Sequence, residues 1–356
     1  MPRFEVESLR PLGEGILTAA GATEEEARIT VEHCLYAHLT GEDNHGLEQV
    51  VWYTDWIEKG LLKPGAEITV ERESETTMLV NGNLNFGHYV SDWTMRKLID
   101  KANKFNVAAG SIRFQTHVGR LIDYTAMAAA EGMIALMMCD GAWGPKWVAP
   151  TGGRERRLGV NPWSMALPSD VGGTVGFDMT TGAISGTKIW RAQAEGRPVP
   201  EGWIIDAEGN DTTDPNDYER GGAMLPMGGP QSYKGYVLNF MIEALGDILS
   251  GMEYKEDPER PHAVIDGAFL AVFKVEAFRP LFEWNSELRG MIDWIKSSEP
   301  AAGSDGVLYP GERSYRSTRE REATGVVIPA DVWKRITNCA AHYEVGGLAP
   351  EPIAED

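Results

Sequence analysis

The chain is poor in cysteine, and the common short catalytic motifs are missing from it. Its three cysteines, Cys34, Cys139 and Cys339, lie in apolar or helical surroundings with no short pair spacing. Reduced core thiols are therefore expected rather than a disulfide framework. No H-E-x-x-H, C-x-x-C or clustered His/Cys pair occurs, which argues against a catalytic zinc site. The absence of G-x-S-x-G argues against a nucleophile-elbow hydrolase. G-x-G-x-x-G is absent as well, so an ordinary dinucleotide fingerprint is excluded. No apolar run is long enough to cross a membrane as a helix. The N-terminus, Met-Pro-Arg-Phe-Glu-Val-Glu, lacks the charged-then-apolar pattern of a signal peptide, and a cytoplasmic location is the default. Positive charge is scarce: 33 Lys and Arg face 53 Asp and Glu, for a net charge of -20. Such a surface repels nucleic acid and anionic membranes, so neither is expected as a partner. A small anionic substrate would need a local basic patch.

What is present suits a large folded enzyme. The chain has 356 residues, 42% of them hydrophobic, enough for two or three domains. The first sixty residues read as helices. Thr23 and Glu26 form a T-x-x-E capping box for a helix running to Thr40. A second helix is expected from near His45 to Gly60. Glu67 to Arg72 and Thr77 to Val80 then alternate as strands, followed by an Asn81-Gly82 turn. A helix from Tyr89 to Phe105, a strand from Val107 to Phe114 and an alanine-rich helix from Arg120 to Glu131 follow. Met133 to Cys139 reads as a fully buried strand. Strand, helix, strand in this order predicts an α/β (α+β) fold. Glycine, proline and short strands dominate from Gly141 to Gly229. Ser232 to Ser250 and Pro329 to Tyr343 read as helices, Ala263 to Val275 as a strand, and Pro300 to Gly311 as a hinge loop.

Several residues are candidates for chemistry. His117 follows a strand and precedes a helix, where α/β sites place reactive side chains. A histidine there can exchange a proton near neutrality, although the position also fits a surface loop. His45 lies between Asn44 and Gly46, where Asn44 fits a helix N-cap as well as a site residue. Lys234 stands at a helix start, where a lysine can meet a phosphate or simply face solvent. Arg154, Arg156 and Arg157 form either a solvated patch or a phosphate contact. Arg313, Arg316, Arg319 and Arg321 alternate with glutamates as a charged helical face.

Taken in order, the motifs resemble one family over nearly the whole chain. They are N-H-G-L (Asn44 to Leu47) with Tyr53, T-H-V-G (Thr116 to Gly119), A-P-T-G-G (Ala149 to Gly153) and G-V-N-P (Gly159 to Pro162). F-D-M-T-T (Phe177 to Thr181), P-E-G-W (Pro200 to Trp203), T-T-D-P (Thr212 to Pro215), L-P-M-G-G (Leu225 to Gly229), Y-K-G-Y (Tyr233 to Tyr236) and Y-P-G-E (Tyr309 to Glu312) continue the series. The chain resembles the second type of malate/L-lactate dehydrogenase, a family shared by sulfolactate, ureidoglycolate, diketogulonate and piperideine-2-carboxylate reductases.

The resemblance implies a non-Rossmann fold with a nicotinamide-binding mixed sheet, a helical domain from both termini and a smaller third domain. Boundaries of 1–65 plus 312–356 are expected for the helical domain, and 66–140 plus 220–311 for the cofactor domain. Residues 141–219 would form a Gly/Pro-rich cofactor and substrate segment. The resemblance further implies a homodimer, no metal, and reversible hydride transfer between NAD or NADP and a 2-keto or 2-imino acid. His117 matches the proton donor of hydroxyacid members. His45 matches a cofactor contact in some members and the acid in others. Asp178, Met179 and Thr180, with Gly119, Lys234 and Gly235, match segments along the cofactor. Pro310, Gly311 and Glu312 match a segment closing over it. No arginine follows Asp178 to suit a 2′-phosphate, although Lys188 is near, which leans toward NAD.

Two departures stand out. The family pattern S-H-G-x-x-R carries a serine near the reaction and an arginine on the substrate carboxylate. Here those places hold Asn44 and Gln49. Val160 also stands where imine-reducing members often have threonine. An arginine clamps a carboxylate by two charged hydrogen bonds, whereas Gln49 offers a neutral amide. The expected substrate is therefore bulkier than pyruvate or lacks a normally clamped carboxylate, with Arg120 as the nearest replacement cation and Tyr53 retained. Trp52, Trp143, Trp147 and Trp163 are candidates to line its pocket. His117 is expected to titrate near working pH. An imine reductase making a cyclic or N-alkyl amino acid, and a catalytically silent nucleotide-binding member, are the alternatives.

Overall fold

The computed structural model describes residues 1–141, 146–252 and 265–355. Trp143, His262 and the first two residues of the strand expected from Ala263 lie outside them. In chain order the elements begin with β1 (Pro2–Phe4), α1 (Arg10–Ala19) and α2 (Glu24–Thr40). A 3-10 turn over Asp43–His45 then leads to α3 (Gln49–Glu58). Next come β2 (Thr69–Glu73), β3 (Thr77–Asn81), α4 (Gly87–Phe105), β4 (Val107–Thr116), α5 (Leu121–Ala130) and β5 (Met133–Asp140). β6 (Trp163–Leu167), β7 (Val175–Met179), α6 (Gly186–Glu195), β8 (Ile204–Ile205), β9 (Asp211–Thr212), α7 (Asn216–Glu219) and β10 (Ala223–Met224) follow. α8 (Tyr233–Glu243) widens into a π-helical turn over Ala244–Ile248. β11 (Ile265–Lys274), α9 (Leu281–Lys296), α10 (Glu312–Thr324), β12 (Val326–Val327), α11 (Ala330–His342) and β13 (Ala354–Glu355) complete the order.

The capping box forms as expected. Glu26 N–H donates to Thr23 Oγ1 at 3.2 Å, and Thr23 N–H to Glu26 Oε2 at 2.9 Å. The same carboxylate accepts from Gly65 N–H and from Asn85 Nδ2, so one glutamate starts the helix and ties it to the chain entering α4. The helix expected from His45 begins later, at Gln49. Gly46 sits against the His38 ring, and His38 Nε2 accepts the Leu47 N–H at 3.0 Å. Local packing thus replaces the first turn.

Seven strands form the main sheet in the order β2-β3-β4-β11-β5-β6-β7. Only the β3–β4 pair is parallel, joined by the α4 crossover. β11 lies antiparallel between β4 and β5, which α5 connects. A doubly wound parallel sheet is thereby excluded, and the expected mixed, non-Rossmann sheet is what forms. Met133, Ala135, Met137 and Cys139 pack with Leu98, Leu121, Tyr124 and Leu270 in one core under α4 and α5. The other side of β5 meets α8 and the π-turn. β5 is covered on both faces, as its apolar run requires.

Both ends of the chain build the helical layer. α10 packs on α2, and α11 on α1 and α3. β1 pairs with β12 and with β13, both antiparallel. A smaller unit holds the sheet β10-β8-β9 with α6 around Val148, Ile189, Ile204 and Tyr218. Residues 141–219 divide between two sheets, because β6 and β7 extend the main one. Two helices were hidden from the pattern. α6 lies in the glycine-rich block with only Ile189 and Ala192 buried, and α9 buries only Leu288 and Ile292. Such thin apolar stripes give little periodicity to read.

Candidate active site

β4 delivers His117 one residue past its last strand residue, Thr116, and Gly119 (φ +68°) turns the chain into α5. A Cβ at Gly119 would sit 2.3 Å from His88 Nε2, so backbone conformation and space both demand glycine. Tyr124 O–H closes the corner onto the Val118 carbonyl at 2.6 Å. The 3-10 turn before α3 delivers His45. Its ring lies parallel to that of His117, with centroids 5.7 Å apart and a 5° interplanar angle. Tyr53, on α3, places its hydroxyl 2.9 Å from His117 Nδ1. Two segments that the sequence reading treated separately thus meet at one pair of imidazoles.

Both rings keep a strip open to solvent but are recessed within the protein. Desolvation, then the neighbouring His45, pushes His117 down to about 3. Desolvation, then the Arg120 charge, pushes His45 down to about 4. The expectation that His117 titrates near neutrality is therefore corrected. Its hydrogen-bond partner among the described residues is a phenol, not a carboxylate, so nothing compensates the loss of water. Both imidazoles rest neutral. A phenol both donates and accepts, so rotation of the Tyr53 O–H selects which His117 tautomer is present and whether Nε2 gives or takes a proton.

Arg120 is buried, its charge acts on His45, and it lies 3.2 Å from Asp123. Asp123 is also 3.1 Å from His33 Nδ1. The guanidinium therefore reaches the site with a counter-charge already beside it. Asn44 is exposed, and α3 has no side-chain cap, so the N-cap reading of Asn44 is not met. The Asn44 carbonyl instead accepts from Gln49 Nε2 at 2.6 Å. Gln49 is buried, one helical turn before Tyr53.

The segments expected along a cofactor also converge. Asp178 and Met179 end β7 and are exposed. The Asp178 carboxylate accepts the Ile122 N–H at 3.1 Å, joining β7 to the start of α5. The Asp178 side chain keeps solvent contact, yet desolvation by the protein packed around it raises its carboxyl to about 6, against the pull of that N–H and of Arg120. Thr181 O accepts from Met227 N–H at 2.8 Å, and Gly235 packs so tightly on Met227 that a Cβ would lie 2.3 Å from its carbonyl oxygen. This glycine seats the start of α8, which carries the exposed Lys234, on Met227, whose N–H is held by the residue after Thr180. A helix N-terminus with an exposed lysine fits a phosphate, and the orphaned Nδ1 of His45 fits a polar ligand group. The residues present therefore fit a nicotinamide dinucleotide.

The other candidates make their own contacts. Pro310 O accepts the Gly176 N–H, and Gly311 (φ +96°) rests on Thr174, so this segment packs on the start of β7. Glu312 is buried and paired with Lys296 at 2.6 Å and with Arg316. Val160 packs in the smaller unit, its carbonyl bonded by Thr181. Arg156 lies 3.7 Å over the Tyr218 ring and bonds the Gly222 carbonyl, so it supports the small unit rather than a phosphate. Trp147 packs on Trp190 and Tyr218, and Trp52 is exposed. Trp163 alone of the described tryptophans pairs in register with Met179. A shallow groove of about 370 Å³ between α3 and α11 holds none of the candidate residues. Sequence reading missed His33, His88 and Asp123. His88 packs edge-on to Tyr53 and His117. The three-residue spacing of Arg120 and Asp123 was the one legible signal.

Comparison with known proteins gives a consistent answer. Residues 4–337 match the family model for malate/L-lactate dehydrogenase. Malate dehydrogenase of Pyrococcus horikoshii is 33% identical over 341 residues, covering 94% of this chain and 93% of that one. The crystal structure of malate dehydrogenase from Entamoeba histolytica superposes with a TM-score of 0.91 at 27% identity, covering 99% of each chain. That of delta1-piperideine-2-carboxylate reductase from Pseudomonas syringae does so with a TM-score of 0.83 at 26% identity, covering 96% of this chain and 100% of that one.

Proposed function

Because the chain belongs to the malate/L-lactate dehydrogenase family of nicotinamide-dependent oxidoreductases, we propose that it interconverts a carbonyl compound and its 2-hydroxy counterpart. The substrate is bulkier than pyruvate or lacks a conventionally clamped carboxylate. The observation that carries this reading is the neutral His45–His117 pair with Tyr53 on His117 Nδ1. Arg120, the nearest cation, already carries Asp123. Asp178, Met179, Thr180, Gly119, Lys234 and Gly235 are assigned to the coenzyme.

A nicotinamide coenzyme held along Asp178, Thr180 and Lys234 would supply or take up the hydride at the substrate's carbinol carbon. His117 Nε2 removes the hydroxyl proton during oxidation and returns it during reduction, while Tyr53 holds Nδ1 and sets the tautomer. His45 flattens one wall of the site. The resting neutral ring suits the base role. In reduction a proton must be taken up with the substrate, and the developing alkoxide favours the imidazolium.

NAD is assigned over NADP, since the segment just after Asp178 holds no arginine suited to a 2′-phosphate. A homodimer is assigned too, on the exposed apolar side chains of α8 and its π-turn: Val237, Phe240, Met241, Ile248 and Leu249. A second reading, reduction of a cyclic imine, draws support from the likeness to the piperideine-2-carboxylate reductase. Assaying a ketone against the same ketone with amine separates the two. Fluorescence titration with NADH and NADPH, then a carbonyl screen, tests the whole reading. His117→Asn should lower turnover by about two to four decades while coenzyme still binds. Near-normal turnover would remove His117 from its role and leave His45.

A further inference from the structure

Gln49 has only one orientation open to it. Its Nε2 donates to the Asn44 carbonyl, and a carbonyl accepts hydrogen bonds without donating them. Turning the amide over would set two oxygens against each other. The other end of the side chain, Oε1, is buried and has no hydrogen-bond partner among the described residues. A buried acceptor without a donor is unfavourable until a donor reaches it. Gln49 is flanked by parts of the candidate site on both sides. Asn44 leads directly into His45, which stacks on His117, and Tyr53 stands one helical turn along α3 with its hydroxyl on His117. Arg120, the cation whose charge reaches His45, is already balanced by Asp123 at 3.2 Å.

A substrate carboxylate offers only acceptors, so it would set an anionic oxygen against Oε1. A carboxamide or hydroxyl offers the N–H or O–H that Oε1 lacks. We propose, on the oxidoreductase reading above, that Gln49 determines specificity by accepting a hydrogen bond from the substrate. The preferred substrates are then 2-keto and 2-hydroxy amides, not the corresponding acids. No change in the hydride chemistry is involved: the same carbinol carbon is oxidised and the same hydroxyl proton leaves.

The test compares matched pairs on the full chain: mandelamide with mandelate under NAD⁺, and pyruvamide with pyruvate under NADH. The wild type should favour each amide by about tenfold or more in kcat/KM, the discrimination a single well-placed hydrogen bond gives. Gln49→Arg should invert the preference. Gln49→Met, nearly equal in volume, should raise the amide KM and bring the ratio toward one, a change that mere loss of packing would not produce. The wild-type ratio needs no variant, so a misfolded mutant leaves the test intact. If coenzyme binds and the acids react faster, this proposal fails and the oxidoreductase reading stands. If neither coenzyme binds nor any carbonyl is reduced, the oxidoreductase reading fails and the proposal goes with it.

Discussion

Replacing His117 with asparagine should change how stability responds to acid by an amount that follows from burial. In the unfolded chain an imidazole titrates at about 6.5. In the folded protein, desolvation holds His117 at about 3. Between those values the unfolded chain binds a proton that the folded one does not, so stability falls as pH drops below the unfolded value. At pH 7.5 the loss is close to zero. At pH 5.5 the unfolded ring is about ten parts protonated to one, and the loss is about 1.4 kcal/mol. Asparagine cannot titrate, so the mutant escapes this loss. The other perturbed groups, including His45, His88 and Asp178, are present in both proteins and cancel in the difference. Urea unfolding followed by tryptophan fluorescence at the two pH values measures the gap between wild type and mutant. That gap should shift by about 1.4 kcal/mol against the wild type at pH 5.5. A gap constant within about 0.3 kcal/mol would mean that the folded protein already accommodates a charged ring at His117, and the neutral resting state would be refuted.

The same neutral ring predicts that kcat/KM for alcohol oxidation, measured in Asp178→Asn so that the Asp178 titration near 6 is absent, stays flat from about pH 5 to 8, because that profile reports the free enzyme; a bend near 6.5 in that variant would contradict it. Tyr53→Phe removes the hydroxyl on His117 Nδ1 and should lower kcat about tenfold with coenzyme affinity unchanged, which parallel turnover and fluorescence titrations would check. Phe240→Glu, on the exposed face of α8, should halve the mass found by light scattering; an unchanged mass would move the dimer contact elsewhere.

Much of the architecture was legible because its signals are local. The Thr23–Glu26 box and the apolar run of β5 each depend on a few neighbouring residues, whereas the turn expected at Asn81-Gly82 falls on Asn83 and Leu84, because Asn81 stays paired as the last residue of β3. The mixed sheet was not derivable from period alone, since β11 reaches its place between β4 and β5 from far along the chain. It was expected through the family resemblance. His117 stood out by its place at a strand end, but its partner Tyr53 lies on another helix, so the low titration point could not be foreseen. A titration point depends on what surrounds the ring in space, and spacing along the chain is silent on that. Gln49 showed the opposite pattern. Its departure from the family arginine was plain in the sequence, whereas the direction of its amide needed the Asn44 carbonyl to be in view.

The small sheet in which β1 lies between β12 and β13 bears on how the molecule assembles during synthesis. Phe4 emerges from the ribosome early, yet its partner Val326 is made only after the main sheet has been translated. α1 and α2 must therefore wait with an unpaired strand beside them, one that will end as the centre of its sheet, while the sheet core matures, and the helical layer is the last part to lock. Contacts so distant along the chain form slowly. Chaperone dependence and misassembly should therefore concentrate in that layer rather than around the imidazole pair.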